Sequence, residues 1–332
     1  MKAAVAVENQ NRPQIDDRPL PEPAAGEVAI DLKAAALNHR DLWILSGNYP
    51  GLKYPVVLGS DGAGVIGAVG EGVSEEWIGQ EVIIYPAAHW GEREVAQGPD
   101  FEILGLPEDG TFVERICLPL RRTAPKPDHL DWAQAAALPL AGLTAFRALF
   151  RRANLLAGEK LLVTGIGGGV AQFGLQFGLA AGAEVWVTSS NPAKIEAAIA
   201  AGAAGGVNYR DDDWPAQLKQ ATGGGVDVAL DGAAGPGFAG LIEAARPGAR
   251  IVNYGGTGGA LPQMSPRPLF WNQLSLLGST MGSSTDFADL QGFVRQHQLV
   301  PVVDRTFPLD QVAAALDHMD GGAQTGKIVL MP

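Results

Sequence analysis

The chain has 332 residues, with 44 Gly, 23 Pro, a single Cys and a formal net charge of −12. At about 150 residues per domain this length predicts two domains, and a hydrophobic content of 46% is enough for ordinary cores. One cysteine excludes an intramolecular disulfide and a four-cysteine zinc site. The acidic balance argues against nucleic-acid or anionic-membrane partners, and no apolar run reaches the roughly 20 residues that span a bilayer. The first residues, MKAAVAVENQ, lack a signal-peptide pattern, so a cytoplasmic protein is expected.

In chain order, the first 120 or so residues read as short strands broken by turns. Strand patterns cover Val28–Leu32, Val56–Leu58, Val82–Tyr85 and Val113–Leu118, with Gly or Pro at the breaks, which predicts a β-rich domain. Residues 87–110 lose all periodicity and predict a surface lobe. Pro125-Lys126-Pro127 predicts a linker. A helical run over 130–147 follows, and then strands and helices alternate. Strands are predicted at Lys160–Thr164, Glu184–Thr188, Val226–Leu230, Arg250–Tyr254 and Leu274–Leu277, with helices at 170–181 and 192–201. Apolar strands alternating with helices predict a parallel sheet buried on both faces. Asn191 before Pro192, and Gly202 at the far end, punctuate the second helix. Asp211–Asp213 before Trp214 predict another helix start. The last 33 residues predict two strands around a helix, able to rejoin the first domain.

The most informative motif is Gly165-Ile-Gly167-Gly168-Gly169-Val170, placed where the first parallel strand turns into its helix. Glycines there let the backbone approach a pyrophosphate at a helix N-terminus, although Val170 stands where a dinucleotide fingerprint has its third glycine. Gly174 and Gly178 give that helix a smooth face for close packing on the sheet. The second strand ends in Thr188-Ser189-Ser190, with Lys194 nearby. No acidic residue is present to accept from a ribose 2′-hydroxyl, and small hydroxyls with a lysine suit a 2′-phosphate, which favours NADP(H). Cys117 reads as a small core residue. His89, His129, His297 and His318 have no metal-ligand spacing and read as surface residues.

Together these residues resemble the medium-chain dehydrogenase/reductase superfamily, in its zinc-free quinone-oxidoreductase-like branch. The resemblance runs nearly end to end: Asn38-His-Arg-Asp41, Tyr54 to Gly64, Leu138 to Phe146, the glycine turn, Asn208-Tyr-Arg210 and Gly326 to Leu330. It implies a GroES-like β-rich catalytic domain from residues 1–126 and 282–332, and a Rossmann doubly wound NADP-binding domain from 127–281. At the positions matching the zinc ligands of metal-dependent relatives stand Asn38, Ser60-Asp61 and Leu140, so no metal is expected. The resemblance further implies that Ser189, Lys194 and Tyr209 surround the 2′-phosphate and that Thr144 packs on the nicotinamide. By the same resemblance Gly255, Gly256, Thr257 and Ser279 contact its carboxamide, and Lys327 lies near the cofactor phosphates.

Without zinc, a quinone or α,β-unsaturated carbonyl is the more accessible hydride acceptor, because its negative charge delocalises. The expected catalytic set is Asn38 as donor to the acceptor oxygen, with Asp41 and Tyr54 nearby. For Asp41 a structural role beneath the site is equally compatible with the sequence, and for Tyr54 packing is the simpler reading. A zinc-independent alcohol or aldehyde dehydrogenase and a non-catalytic NADPH-binding protein remain alternatives. A homodimer or homotetramer is expected, joined through the edge of the parallel sheet at 250–254 or 274–279.

Overall fold

The structure is a computed structural model that describes residues Met1–Pro332. The chain forms two compact units: unit 1 comprises Met1–Leu143 and Gly282–Pro332, and unit 2 comprises Thr144–Met281.

Unit 1 is organised by the ten-residue strand Glu27–Ala36, whose alternation of Val28, Ile30 and Leu32 buries one row of side chains. It pairs antiparallel with Asp61–Val69, Arg115–Pro119 and the last strand, Lys327–Met331. The last strand in turn pairs parallel with Val303–Pro308, so the C-terminal segment does rejoin the first sheet. A core of Ile44, Leu58, Phe112, Leu316 and Leu330 closes one side, and a second of Ile30, Ile66, Val82 and Ile84 the other.

Pro125-Lys126-Pro127 is not a linker. Pro125 ends a short strand, Thr123–Pro125, paired with Glu81–Ile84, and Lys126 forms an ion pair with Glu81 at 3.1 Å. Proline is tolerated there because the strand is at the sheet edge. Unit 1 keeps the chain as far as Leu143, because the helix Trp132–Ala137 packs on the strands Glu27–Ala36 and Asp61–Val69. The helical run predicted over 130–147 is broken at Leu138 into Trp132–Ala137 and Pro139–Phe146, since Pro139 lacks an N–H for the helix ladder. The lobe at 87–110 carries its own two-stranded ribbon, Ala87–Ala88 with Glu102–Ile103, and buries Trp90 edge-on to Phe101.

Unit 2 is a six-stranded parallel sheet in the order Gly205–Val207, Glu184–Thr188, Lys160–Val163, Val226–Asp231, Ala245–Asn253, Ser275–Gly278. The order reverses direction beside Lys160–Val163, the crevice position where doubly wound sheets bind ligands. A Cβ on Gly174 would stand 2.5 Å from Leu230, and one on Gly178 would stand 2.6 Å from Leu161. The helix Gly169–Ala180 therefore lies on the sheet with no room for side chains at those two positions. Of the two segments expected at the subunit edge, Ser275–Gly278 is an edge strand of the sheet and Ala245–Asn253 is interior, which removes 250–254 as an edge for subunit pairing.

Cys117 corrects another expectation. Alternation along Arg115–Pro119 buries Ile116 and Leu118 and turns Cys117 to the half-buried face, where burial pushes its thiol up to about 11. Of the histidines, His129 meets the Leu299 carbonyl at 3.0 Å and His318 pairs with Asp304 at 2.7 Å. No helix is long and apolar enough to cross a membrane.

Candidate active site

In unit 2 the glycine turn is closed by local hydrogen bonds. Gly165 adopts φ +60°, a left-handed conformation that suits glycine, and its N–H donates to Thr188 Oγ1 at 3.2 Å. Gly168 caps the helix Gly169–Ala180 from an extended conformation, with no side chain over the helix start. The first-turn N–H groups, Val170 among them, form the kind of helix terminus that receives a pyrophosphate.

The neighbouring strand ends bring the 2′-phosphate candidates together. Thr188 pairs with Val207 and the Ser189 N–H donates to the Val207 carbonyl at 3.2 Å, which sets Ser189 and Ser190 beside Asn208 and Tyr209. Lys194 lies in the first turn of the helix Pro192–Ala200, whose N-cap Asn191 accepts from the Ala193 N–H at 3.0 Å. Ser189 is buried, Lys194 half-buried, and Tyr209 exposed. Thr144 is buried at the start of unit 2.

Sequence reading missed a buried carboxylate in this unit. Asp231, at the end of the fourth strand, accepts from Thr164 Oγ1 at 2.8 Å, the Ala234 N–H at 2.8 Å and Asn253 Nδ2 at 3.0 Å. It therefore ties three strand ends together and orders the turns at 232–235 and 253–259. The expected nicotinamide contacts Gly255, Gly256 and Thr257 stand in the second turn, where the Thr257 and Gly258 N–H groups bond the carbonyls of Gly232 and Ala233. Ser279 follows the edge strand and bonds the Asn253 carbonyl through its N–H. Nothing in the sequence pattern separates Asp231 from an ordinary strand-end aspartate.

In unit 1 the positions singled out by the Asn38-His-Arg-Asp41 and Ser60-Asp61 motifs do converge. Asn38 ends the strand Glu27–Ala36 by two residues and precedes the helix His39–Leu45; Asp61 opens the strand Asp61–Val69. Asn38 Nδ2 donates to Asp61 Oδ2 at 2.9 Å, and Asp61 Oδ1 accepts from the Leu140 N–H at 2.7 Å. Lys327 joins them: its ammonium donates to the Leu37 carbonyl at 2.7 Å, to Asn38 Oδ1 at 2.6 Å and to Asp61 Oδ2 at 3.0 Å. Asp61 is fully buried, Lys327 4% exposed and Asn38 8%. Lys327 was expected near the cofactor phosphates. Its three N–H donors are instead all committed inside unit 1, and a lysine has no others to offer.

Asp41 and Tyr54 are also corrected. Asp41 is fully buried and spends Oδ2 on the Asn38 N–H at 2.8 Å, leaving Oδ1 without a hydrogen-bond partner. Burial raises its carboxyl to about 6, against the opposing pull of Arg40 and the Asn38 N–H. It holds the helix start and has no surface from which to touch a substrate. Tyr54 donates its hydroxyl to the Ile44 carbonyl at 2.5 Å and packs on the first core, so it too is structural. Beside them Arg40, which sequence reading passed over, donates to Ser60 Oγ at 2.7 Å and to the Leu104 carbonyl at 2.6 Å. That pair pins the 87–110 lobe to the helix.

A doubly wound sheet whose glycine turn opens a helix beside the switch point is the arrangement of a dinucleotide-binding unit. Comparison with known proteins agrees. Residues 24–128 match the family described as alcohol dehydrogenase GroES-like domain, and residues 169–296 match zinc-binding dehydrogenase. The chain is 34% identical to the zinc-type alcohol dehydrogenase-like protein YogA of Leptosphaeria maculans over 331 residues, covering 93% of this chain and 92% of that protein. It is 30% identical to the quinone oxidoreductase of Mus musculus, covering 94% and 91%. A crystal structure of an NAD-dependent alcohol dehydrogenase superposes with a TM-score of 0.95 at 36% identity, over the whole of both chains. The chain belongs to the medium-chain dehydrogenase/reductase superfamily, in its quinone-oxidoreductase-like branch.

Zinc, which one of the matched family descriptions implies, does not suit the residues present. Structural and catalytic zinc sites want thiolate and imidazole, and no group of three His, Cys, Asp or Glu side chains is placed to hold a metal ion. The one carboxylate at the matching positions, Asp61, is neutralised by the Lys327 ammonium at 3.0 Å, and a second cation there would meet that charge.

Proposed function

We propose that this chain reduces a quinone or an α,β-unsaturated carbonyl with NADPH as hydride donor and without a metal ion. The observation that carries this reading is the Asn38–Asp61–Lys327 cluster: Asn38 and Asp61 stand where the resemblance puts zinc ligands of metal-dependent relatives, and the Lys327 ammonium pairs with Asp61 there. Without a Lewis acid at that place, an acceptor whose charge delocalises onto an enolate or phenolate is favoured over a plain ketone.

In this reading Gly165, Gly167, Gly168, Gly169 and Val170 hold the pyrophosphate, and Ser189, Ser190, Lys194 and Tyr209 hold the 2′-phosphate. Thr144, Gly255, Gly256, Thr257 and Ser279 orient the nicotinamide, which when bound supplies the hydride. Asn38 donates through Nδ2 to the acceptor oxygen, since one of its two hydrogens has only the Ala36 carbonyl at 3.5 Å, the outer limit of a hydrogen bond. Water delivers the proton, because Tyr54 is occupied. The acidic balance and single cysteine suit a reducing, cytoplasmic setting. The open edge strand Ser275–Gly278, flanked by Phe270 at 66% and Trp271 at 72% exposed, supports pairing with a second copy through that edge, in a homodimer or a homotetramer.

Steady-state rates with NADPH and NADH against 1,4-benzoquinone, a simple enone and a simple aldehyde test the reading. Turnover of quinone or enone with NADPH is expected; turnover of the aldehyde alone would establish a metal-independent alcohol or aldehyde dehydrogenase instead. Tight NADPH binding without turnover of any of the three would mark a non-catalytic binding protein. Elemental analysis of protein purified without chelators is expected to find no stoichiometric zinc.

A further inference from the structure

We propose that Lys327, backed by Asp61, is a positioning residue: it sets which way the Asn38 amide faces and so aims its second Nδ2 hydrogen at the acceptor. The inference rests on the proposed role of Asn38 as donor.

The two ends of an asparagine amide have nearly the same shape, and rotation by half a turn exchanges a donor for an acceptor. At Asn38 the neighbours remove that freedom. The lysine ammonium can only donate, so the amide atom 2.6 Å from it is the oxygen. The Asp61 carboxylate has only acceptor oxygens in its ionised form, so the atom 2.9 Å from Oδ2 is the nitrogen. A flipped amide would face NH₂ to NH₃⁺ and oxygen to carboxylate, two repulsive contacts in a buried place where unpaired polar groups are costly. Lys327 and Asp61 are themselves fixed. The ammonium also holds the Leu37 carbonyl at 2.7 Å, its strand pairs with Ala35 and Ala36, and Asp61 Oδ1 is held by the Leu140 N–H. One Nδ2 hydrogen is thereby spent on Asp61. The other, with only a 3.5 Å contact to the Ala36 carbonyl, is the one left for an acceptor. A cation on Oδ1 also polarises the amide and strengthens the opposite N–H as a donor. Lys327 never touches substrate: it is 4% exposed and saturated.

A double-mutant cycle in the full-length protein tests this, with NADPH and 1,4-benzoquinone. Asn38→Ala is expected to lower kcat about 100-fold with the NADPH KM unchanged, the cost of removing one oxyanion donor. Lys327→Gln, which can donate or accept, removes the ammonium's share of the constraint and leaves Asp61 alone to set the amide; it is expected to lower kcat roughly tenfold, short of that full cost because productive amides persist. The double variant is expected to be no slower than Asn38→Ala alone, since a residue that acts through Asn38 has nothing to position once the amide is gone. Multiplying losses, or unchanged kcat in Lys327→Gln, would overturn the positioning role while leaving Asn38 as the donor. An unchanged kcat in Asn38→Ala would overturn the donor role, and the positioning role with it. Should Lys327→Gln fail to fold, the wild-type side-chain amide resonances of Asn38, assigned by their loss in Asn38→Ala, decide. One slowly exchanging pair is expected, and two sets from two orientations would overturn the proposal.

Discussion

The two units each bury one polar cluster at the end of a strand, and the clusters are built on different electrostatics. In unit 2, Asp231 is a single carboxylate satisfied by hydroxyl, amide and backbone N–H donors, and its effect is to shape backbone turns. In unit 1, Asp61 is paired with the ammonium of Lys327, and the object held between them is a side-chain amide. A carboxylate surrounded by several neutral donors tolerates the loss of one, because the others remain. An ion pair with no solvent beside it does not, because each charge is the other's main compensation. Unit 1 therefore carries a charge-balanced cluster of its own side chains around Asn38.

The largest expected effect breaks the unit 1 cluster. Lys327→Met leaves Asp61 buried and uncompensated and is expected to cost about 3–5 kcal/mol of stability, read from denaturant midpoints. The next separates Asp41 from that cluster. Its carboxyl is raised by burial to about 6 from an ordinary 3.8, so the folded state favours the protonated form. That contribution to stability is fully present below about pH 4 and is lost as pH rises through about 6, roughly 3 kcal/mol in all. Subtracting the stability of Asp41→Asn from wild type at each pH isolates it. The difference should fall by about that amount between pH 4 and pH 7, and parallel curves would show that Asp41 is not perturbed.

Unit 2 is probed by smaller changes. Lys194→Ala is expected to weaken NADPH by about 1.5–3 kcal/mol while NADH changes little, measured as dissociation constants for both; equal losses would remove Lys194 from the 2′-phosphate site. Thr164→Val deletes one donor to Asp231 and is expected to cost only about 0.5–1.5 kcal/mol in thermal or denaturant unfolding. A loss as large as that of Lys327→Met would erase the contrast between the clusters.

Much of unit 2 was legible in the sequence, because its elements are short, periodic and punctuated locally. Strand Glu184–Thr188 and the helix after Asn191 lie where their apolar spacing and capping residues put them. The paired glycines Gly174 and Gly178 announced the close helix–sheet contact that the missing Cβ space now explains. Pro125–Pro127 misled because a proline at a paired sheet edge and a proline in a linker have the same local signature.

What the sequence determined alone was therefore the order of elements, the glycine turn, the hydroxyl-rich strand end at Ser189–Ser190 and the lack of thiolate and imidazole at positions 38, 60, 61 and 140. What only the tertiary structure decided was the partner of each buried polar group. Lys327 lies 289 residues from Asn38 and 266 from Asp61, and no periodicity or spacing links residues so far apart. Their meeting depends on the last strand crossing back to pair with Ala35 and Ala36. Burial then makes the hydrogen-bonded arrangement obligatory, because a charge removed from water must find its compensation wherever the fold has placed it.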